Sequence, residues 1–294
     1  MIISVPATSA NLGPGFDSLG LSLDFRNVFD ITPSSLTSIQ LVGEGERFPK
    51  FRIDNMFVKI FKKILLDFGI PQSDFRFFFK NKIPISRGMG SSSAVIVGAI
   101  GAAYQFAGKG LDREEILNAA LLYEPHPDNI TPAVYGGFNV AIVDHKKVYQ
   151  LKQEIPETLK AVMVVPNRSI STKYSRQALP KRYSTAESVF NLSRASLMSM
   201  AFAQGKWELL KMASKDRFHQ ERRMKHFPVL FAIQKIALEN GALMSTLSGS
   251  GSSFFNMCYA DDAERLAEIF NKKFPNFRVF VLNFDNQGIV LEQE

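Results

Sequence analysis

The sequence has few cysteines and no long hydrophobic run. Its single cysteine, Cys258, lies in an apolar strand-like segment, so a disulfide framework is excluded and a reducing compartment is expected. The longest apolar run, residues 94–107, is too short and too rich in glycine and alanine to span a bilayer comfortably. Residues 1–6 show no basic segment followed by an apolar one, so we expect no signal peptide. These absences predict a cytoplasmic protein with no membrane partner.

The sequence is basic but shows no nucleic-acid-binding motif. Its 35 lysines and arginines exceed the 28 acidic residues, which gives a formal charge of +7. Most of these cations are scattered, and one denser cluster spans residues 217–225. Binding to RNA or DNA would require a motif beside the charge. A mildly basic surface with a cleft for an anionic substrate accounts for the charge better, so we expect no nucleic-acid partner.

The order of predicted strands and helices in the second half of the chain indicates an α+β sandwich layer. At 294 residues, 46% hydrophobic and 21% charged, the chain can form one large globular domain or two ordinary ones. Capping boxes at residues 112–115 and 184–187 predict helix starts. We place a domain joint at residues 156–159, between an N-terminal domain (1–155) and a C-terminal domain (156–294). Further helices are predicted over 55–68, 94–107 and 229–240, and strands over 2–6, 28–32, 38–42, 75–80, 161–165, 242–247, 254–259 and 277–284.

A glycine- and serine-rich loop lies where a predicted strand turns into a helix, at residues 83–93. Gly88 and Gly90 allow a sharp turn and leave no Cβ in the way of a ligand. Ser91 to Ser93 then begin a helix, whose free amides and positive dipole end favour a polyanion such as a nucleotide's phosphates. The loop lacks the Lys-Ser/Thr ending of a P-loop, so an ordinary glycine turn capped by serines is the alternative.

Two more glycine-rich segments, residues 7–20 and 246–253, also flank predicted strands. Together the three segments resemble, in order along the chain, the three sequence motifs of the GHMP kinases. That resemblance implies an N-terminal α/β domain like ribosomal protein S5 and a C-terminal ferredoxin-like α/β sandwich. It also implies that ATP binds between the two domains, on Pro84, Ile85, Ser86, Arg87, Gly88, Met89, Gly90, Ser91, Ser92 and Ser93.

Four local patterns resemble the GHMP kinases that phosphorylate the side-chain hydroxyl of L-homoserine in threonine biosynthesis. They are the Asn11…Asp17 spacing and residues 124–129, 171–180 and 216–223. The resemblance implies that arginines bind the substrate carboxylate, since a guanidinium offers paired donors. Asp17 would bind the ammonium group. The implied substrate-binding residues are Asn11, Asp17, His126, Thr172, Arg176 and Arg223.

Catalysis is expected to depend on positioning and charge stabilisation. The resemblance nominates Ser92 and Glu124 as Mg²⁺ ligands, and hard oxygen ligands suit this ion. Asn129 appears where some relatives of this superfamily have an aspartate, and an amide is not a useful base near neutral pH. We therefore expect Asn129 to orient the acceptor hydroxyl and Arg87 to stabilise charge, with no dedicated protein base, because the loose transition state demands little of the nucleophile.

Some features depart from the family pattern. Pro125, Met89 and Ser252 replace residues that are more often Gly, Leu and Pro. The segment before Arg223 lacks a usual proline, which leaves open whether Arg222 or Arg223 faces the substrate. Two other functions stay open, a GHMP kinase for another small alcohol and a non-catalytic binding protein of the same fold. Family analogy suggests a homodimer.

Overall fold

The protein is described here by a computed structural model that covers residues 1–71, 74–170, 172–177 and 179–292. Its strands are β1 (Ile2–Ala10), β2 (Leu19–Ser34), β3 (Ser38–Gly43), β4 (Asp74–Asn81), β5 (Phe138–Asp144), β6 (Lys147–Gln153), β7 (Leu159–Val165), β8 (Met244–Leu247), β9 (Phe254–Tyr259), β10 (Arg278–Leu282) and β11 (Val290–Glu292). Its helices are α1 (Lys50–Ile53), α2 (Met56–Asp67), α3 (Ser91–Phe106), α4 (Arg113–Ala120), α5 (Pro127–Tyr135), α6 (Thr172–Gln177), α7 (Thr185–Gln204), α8 (Leu210–Ala213), α9 (Gln220–Met224), α10 (Val229–Glu239) and α11 (Ala260–Lys273).

Within the described residues, the first sheet has seven strands and is built around the long strand β2. Its order is β11-β1-β2-β4-β3, and β5 joins the other end of β2 and pairs in turn with β6. Strands β3 and β4 run parallel, while the other pairings of the described strands in this sheet are antiparallel. Helix α5 packs against β1, and the Thr8 hydroxyl near the end of β1 bonds to Asn129 at the start of the helix.

An aromatic core packs helices α2 and α3 onto this sheet. Burial alternates along strand β4, because Phe75, Phe77 and Phe79 are buried while Arg76 is exposed and Phe78 is half-buried. Phe57 and Phe61 of α2 meet these rings, with centroids 5.0 Å apart for both Phe57–Phe79 and Phe61–Phe75. Burying rings of this size contributes about 2 kcal/mol or more each. This layer therefore anchors the predicted phosphate loop, residues 83–93, which follows β4.

The second sheet is antiparallel, in the order β10-β7-β9-β8. Helices α10 and α11 pack on it through a cluster that includes Leu230, Ile233, Leu266 and Phe270. The other side of the sheet joins the main core through Met163, Val165, Met244 and Phe255. The two sheets therefore share one continuous hydrophobic core.

Most predicted elements are present, with several shifts. Helix α3 begins at Ser91, as predicted from the three serines after the glycine turn, whereas β2 is a single strand of 16 residues, much longer than predicted. Strands β6 and β11 were missed, because β6 has an exposed, mixed pattern and β11 is only three residues long. Strand β11 pairs with β1, so the last described residues return to the first sheet. The domain boundary near residue 155 stays a prediction. Within the described part of the chain, no helix is long and apolar enough to cross a membrane.

Candidate active site

A cavity of about 590 Å³ opens where the glycine-rich loops meet, and nearly all the predicted site residues line it. All ten residues of the predicted ATP loop, 84–93, contribute to its wall. Six further predicted residues also line it, namely Asn11, Glu124, His126, Asn129, Arg176 and Arg223. Asp17 lies beside them through its contact with Arg176. The structure thus brings together residues that the chain separates by more than 200 positions.

The phosphate loop has the strand–loop–helix form that the sequence predicted. Gly90 is the N-cap of α3 with φ 69°, and Gly88 has φ 77°. Both values lie in the left-handed region that favours glycine. The first amides of α3 have no acceptor within the helix, and its dipole adds positive potential at this end. The wall of the cavity at residues 90–93 is therefore suited to an anion.

The three glycine-rich segments touch one another through backbone atoms. The Gly249 N–H donates to the Ala10 carbonyl at 3.1 Å, and the Ser253 N–H donates to the Arg87 carbonyl at 2.9 Å. The Ser248 hydroxyl donates to the Gly88 carbonyl at 2.6 Å. A Cβ on Gly88 would lie 2.1 Å from the Ser248 carbonyl oxygen. Glycine is therefore required at position 88 by space as well as by conformation.

Arg87 joins the phosphate loop to the end of β7. Its Nε donates to the Pro166 carbonyl at 3.1 Å, its Nη2 to the Asn167 carbonyl at 2.9 Å, and its Nη1 to the Ile85 carbonyl at 3.1 Å. Partial burial lowers the pKa of this guanidinium. Each nitrogen of Arg87 thus has a backbone acceptor in this structure, and its predicted role in charge stabilisation stays a prediction.

The loop that carries Asp17 is held in a strained conformation. Asn11 and Asp17 have φ values of 67° and 57°, which cost non-glycine residues free energy, although Asn and Asp tolerate this region better than most. The side-chain oxygen of Asn11 accepts the Asp17 N–H at 3.1 Å, and the Asn11 N–H donates to the Leu19 carbonyl at 2.8 Å. Asn11 therefore shapes the turn that places Asp17.

Asp17 and Arg176 form an ion pair with two hydrogen bonds. Nη1 and Nη2 of Arg176 lie 3.0 Å and 2.5 Å from the two Asp17 oxygens. The Phe16 ring lies under two guanidinium groups, 5.2 Å from that of Arg176 and 5.4 Å from that of Arg223. Arg176 belongs to α6, where the side chain of Thr172 lies outside the described part of the structure, as do Ser171 and Ala178.

Arg223 is the arginine that faces the cavity. It is 4% exposed, and its Nη1 donates to the Gly249 carbonyl at 3.0 Å. Burial, and then the positive charge of Arg176, lowers the pKa of Arg223 to about 10. Arg222 instead pairs with Glu187 at 2.6 Å and bonds to the Phe218 carbonyl. Arg223, which is buried, and its neighbour Arg176, which is half-buried, place two positive charges at the cavity, an arrangement that favours the binding of a carboxylate.

His219 supports Arg223 from behind, and the sequence analysis left it out of the site. Its Nδ1 lies 3.1 Å from Nη1 of Arg223, and its Nε2 lies 2.8 Å from the Gly13 carbonyl. A guanidinium can only donate and a carbonyl can only accept, so His219 is the neutral Nε2–H tautomer. Burial lowers the pKa of this imidazole, which agrees with a neutral ring. Asp216 caps the turn before α9, accepting the amides of His219 and Gln220 at 2.8 Å and 2.6 Å.

Glu124, His126 and Ser92 lie on another part of the cavity wall. The Glu124 carboxylate is 2.6 Å from Nδ1 of His126, and this hydrogen bond raises the pKa of His126. Among the described residues, no cluster of three His, Cys, Asp or Glu side chains could hold a metal by itself. Mg²⁺ commonly takes one or two protein oxygens and completes its shell with phosphates and water. Ser92 and Glu124 fit that kind of site.

Asn129 and Asp128 begin helix α5 at the edge of the cavity. Asn129 Oδ1 accepts a hydrogen bond from the Thr8 hydroxyl at 2.7 Å. Asp128 is 3% exposed, and burial, followed by the negative charge of Asp17, raises its pKa to about 7. The sequence analysis did not name Asp128 or Thr8 as site residues. Asp128 lies inside residues 124–129, one of the segments that carried the family resemblance. Its place in that segment could have identified it as a site residue.

The fold and two segments of the sequence identify the class of protein. Residues 55–137 match the family model of the GHMP kinases N terminal domain, and residues 200–276 match that of the GHMP kinases C terminal domain. The crystal structure of a mevalonate kinase from Methanococcus jannaschii superposes with a TM-score of 0.73 at 18% identity, covering 97% of this chain and 98% of that one. The architecture is therefore the α+β fold of the GHMP kinases.

Proteins with similar sequences show which family within the GHMP kinases this chain belongs to. The homoserine kinase of Helicobacter pylori (strain ATCC 700392 / 26695) is 65% identical over 294 residues, 100% of both chains. That of Helicobacter hepaticus is 61% identical over 99% of each chain. The crystal structure of homoserine kinase from Cytophaga hutchinsonii has a TM-score of 0.87 at 25% identity, covering 99% of this chain and 96% of that one. This chain belongs to the homoserine kinase family of the GHMP kinases.

Proposed function

We propose that this protein transfers the γ-phosphoryl group of ATP directly to the side-chain hydroxyl of L-homoserine, giving O-phospho-L-homoserine for threonine biosynthesis. One observation carries the proposal. A single cavity is lined by the start of helix α3, which is suited to an anion, and by Arg176 and Arg223, with Asp17 paired to Arg176 beside it. Full-length identity of 50–65% to proteins named homoserine kinase supports the choice of substrate.

The nucleotide binds along residues 84–93. The amides at the start of α3 receive the phosphates, because they are unpaired within the helix and lie at its positive end. Ser92 and Glu124 hold Mg²⁺, which neutralises charge on the phosphates when bound. Arg87 fixes the loop against the backbone after β7 and adds positive charge to its rim.

L-Homoserine binds at the other end of the cavity. Its carboxylate lies between Arg176 and Arg223, since guanidinium groups bind carboxylates through paired donors. Its ammonium group replaces Arg176 as a partner of Asp17, so that the substrate opens the ion pair and satisfies both charges. Asn11, His126 and Thr172 provide further hydrogen bonds to the substrate.

The chemical step depends on positioning. Asn129 orients the acceptor hydroxyl toward the γ-phosphoryl group, while the loop amides and Arg87 stabilise the developing charge. A loose transition state requires little proton removal before attack, so the amide of Asn129 suffices. Asn129→Ala is therefore expected to lower kcat by about 10- to 100-fold, the usual effect of losing an orienting group. Unchanged turnover by that variant would show that the residue has another role.

Asp128 offers a separate test of this mechanism. A carboxyl whose pKa is raised to about 7 is of the kind that accepts protons in catalysis. Asp128→Asn keeps the shape of the side chain but removes that capacity. We expect it to retain kcat within about tenfold of the wild type, in keeping with a mechanism that needs little proton transfer. A loss greater than about 10³-fold would assign proton acceptance to Asp128.

The decisive experiment measures ADP release from Mg-ATP with L-homoserine, beside L-serine, L-threonine, mevalonate and no acceptor. Turnover confined largely to L-homoserine would support the proposal. Turnover with another acceptor would keep the nucleotide site and change the substrate. Absence of turnover, combined with absence of Mg-ATP binding by calorimetry, would favour a non-catalytic member of the fold. We further propose a cytoplasmic homodimer, to be tested by light scattering.

A further inference from the structure

Thr8 contacts both halves of the proposed reaction site. It lies in β1 and is completely buried. Its hydroxyl donates to Asn129 Oδ1 at 2.7 Å, and its N–H donates to the Met89 carbonyl at 3.2 Å. One residue thus bonds to the phosphate loop through its backbone and to the acceptor-orienting amide through its side chain.

The phosphate loop fits closely against the Thr8 side chain. A Cβ placed on Gly90 would lie 1.9 Å from Thr8 Oγ1 and 3.1 Å from Thr8 Cβ. Gly90 is the N-cap of α3, so the hydroxyl is packed directly against the backbone at the start of the anion-binding helix. Any shift of Thr8 would therefore move against the loop that carries the phosphates.

The Asn129 amide bonds to Thr8 through its oxygen and to Asp128 through its nitrogen. Nδ2 of Asn129 lies 3.4 Å from Asp128 Oδ1, a favourable arrangement of donor and acceptor. The reversed amide would place Oδ1 against the Asp128 oxygen, with repulsion whenever that carboxyl is ionised. It would also turn Nδ2 toward Thr8. Because the Thr8 hydroxyl can accept as well as donate, the ionised Asp128 carboxylate selects the orientation in which Nδ2 faces it, and Thr8 Oγ1 then donates to Oδ1.

We propose that Thr8 is a positioning residue for phosphoryl transfer, which fixes the Asn129 amide at a set distance from the phosphate loop. This inference rests on the proposed function of the site. Through this bond, the start of α3 and the start of α5 are held in one geometry, and the acceptor hydroxyl meets the γ-phosphoryl group in line. A displacement of about 1 Å in such a site can cost about 10²-fold in rate.

Two matched substitutions separate the hydroxyl from the packing. Thr8→Val keeps the shape of the side chain and removes the hydroxyl, whereas Thr8→Ser keeps the hydroxyl and removes the methyl group. We expect Thr8→Val to lower kcat by about tenfold or more, with the KM values for ATP and for the acceptor within about twofold of the wild type. Thr8→Ser is expected to recover most of kcat.

A double-mutant cycle tests whether Thr8 acts through Asn129. The kcat of Thr8→Val/Asn129→Ala should be no lower than that of Asn129→Ala alone, since the bond is already absent. If Thr8→Val reduces kcat by the same factor in both backgrounds, the two residues act independently and the proposal fails. Equal impairment of Thr8→Ser and Thr8→Val would also overturn it, because packing would then explain the loss.

Folding and substrate identity are controlled separately. Thermal unfolding of each variant shows whether it folds. If Thr8→Val does not fold, the pair Thr8→Ala and Thr8→Ser, which differ by the hydroxyl alone, replaces it in the same cycle. Wild-type turnover with L-homoserine tests the proposed function by itself. If another acceptor is turned over, the cycle is measured with that acceptor, so that a failed substrate assignment does not count as failure of Thr8.

Discussion

The guanidinium of Arg176 and the carboxylate of Asp17 form an ion pair with two hydrogen bonds, at 3.0 Å and 2.5 Å. The sequence analysis predicted that Asp17 binds the ammonium group and Arg176 the carboxylate of one substrate. In the structure the two side chains pair with each other. A zwitterionic amino acid can replace each partner by one of its own charged groups. The charges of Asp17 and Arg176 are thus paired before the substrate binds and can be paired again after it binds.

Conservative substitution of Arg176 should weaken acceptor binding selectively. Arg176→Lys keeps the charge but loses the forked pair of donors, and we expect the KM for L-homoserine to rise about tenfold or more. The KM for ATP should stay within about twofold. Steady-state kinetics with each substrate varied measures both constants. The control is Asp262→Asn, which breaks the exposed Asp262–Arg265 pair and should change neither constant. An equal rise in both KM values for Arg176→Lys would contradict the assignment.

The two neighbouring arginines of α9 should differ sharply. Arg223 is buried at the cavity, whereas Arg222 is bonded to Glu187. Arg223→Lys should raise the KM for L-homoserine about tenfold or more, because the compact ammonium cannot reproduce the guanidinium bonds. Arg222→Lys should leave it within about twofold. Isothermal calorimetry of L-homoserine with the two variants provides a direct comparison, and the reverse order of effects would place Arg222 at the substrate.

Two glycines with positive φ separate backbone strain from crowding. Gly69 and Gly90 have φ values of 73° and 69°, but a Cβ at Gly69 would meet nothing within 4 Å, whereas at Gly90 it would overlap Thr8. Gly69→Ala should lower the free energy of unfolding by about 1 kcal/mol and leave turnover unchanged. Gly90→Ala should lose turnover by about 10²-fold or more, since the phosphate loop must shift. Chemical denaturation and ADP-release assays check both, and turnover retained by Gly90→Ala would refute the close packing at this loop.

Asp128 should make the stability of the ligand-free protein depend on pH. Because its folded pKa of about 7 lies above the ordinary value of 3.8, its neutral form favours the folded state. The stabilisation is fully present below the unfolded pKa and is lost as pH rises through about 7, with a slope of about 1 kcal/mol per pH unit between the two values. Asp128→Asn should remove this slope. In thermal melts from pH 5 to 9, the stability of the variant should rise relative to that of the wild type up to about pH 7. Above that pH the difference in stability should stay constant. A difference independent of pH would mean that Asp128 titrates normally.

The predictions from sequence succeeded where local pattern carries the information. Alternating phenylalanines identified β4, capping boxes identified the starts of α4 and α7, and the glycine spacing identified the loop before α3. These signals act between residues a few positions apart, so they can be read without a fold. Strand β11 carries no such signal, because its pairing with β1 depends on residues at the other end of the chain.

Local sequence patterns and the family resemblance were enough to predict the fold class and the residue types of the candidate site. The sequence shows glycines where a turn needs positive φ, serines at a helix start, and arginines suited to a carboxylate. Each of these residue types meets a chemical requirement that can be recognised without a structure. The three-dimensional packing was needed to show that Arg223 and not Arg222 lines the cavity, and that Asp17 pairs with Arg176. It was also needed to show that His219 bonds to Arg223 and Thr8 to Asn129. The reason is physical, because burial and hydrogen-bond direction depend on what packs against a side chain, and in this protein those partners come from distant parts of the chain.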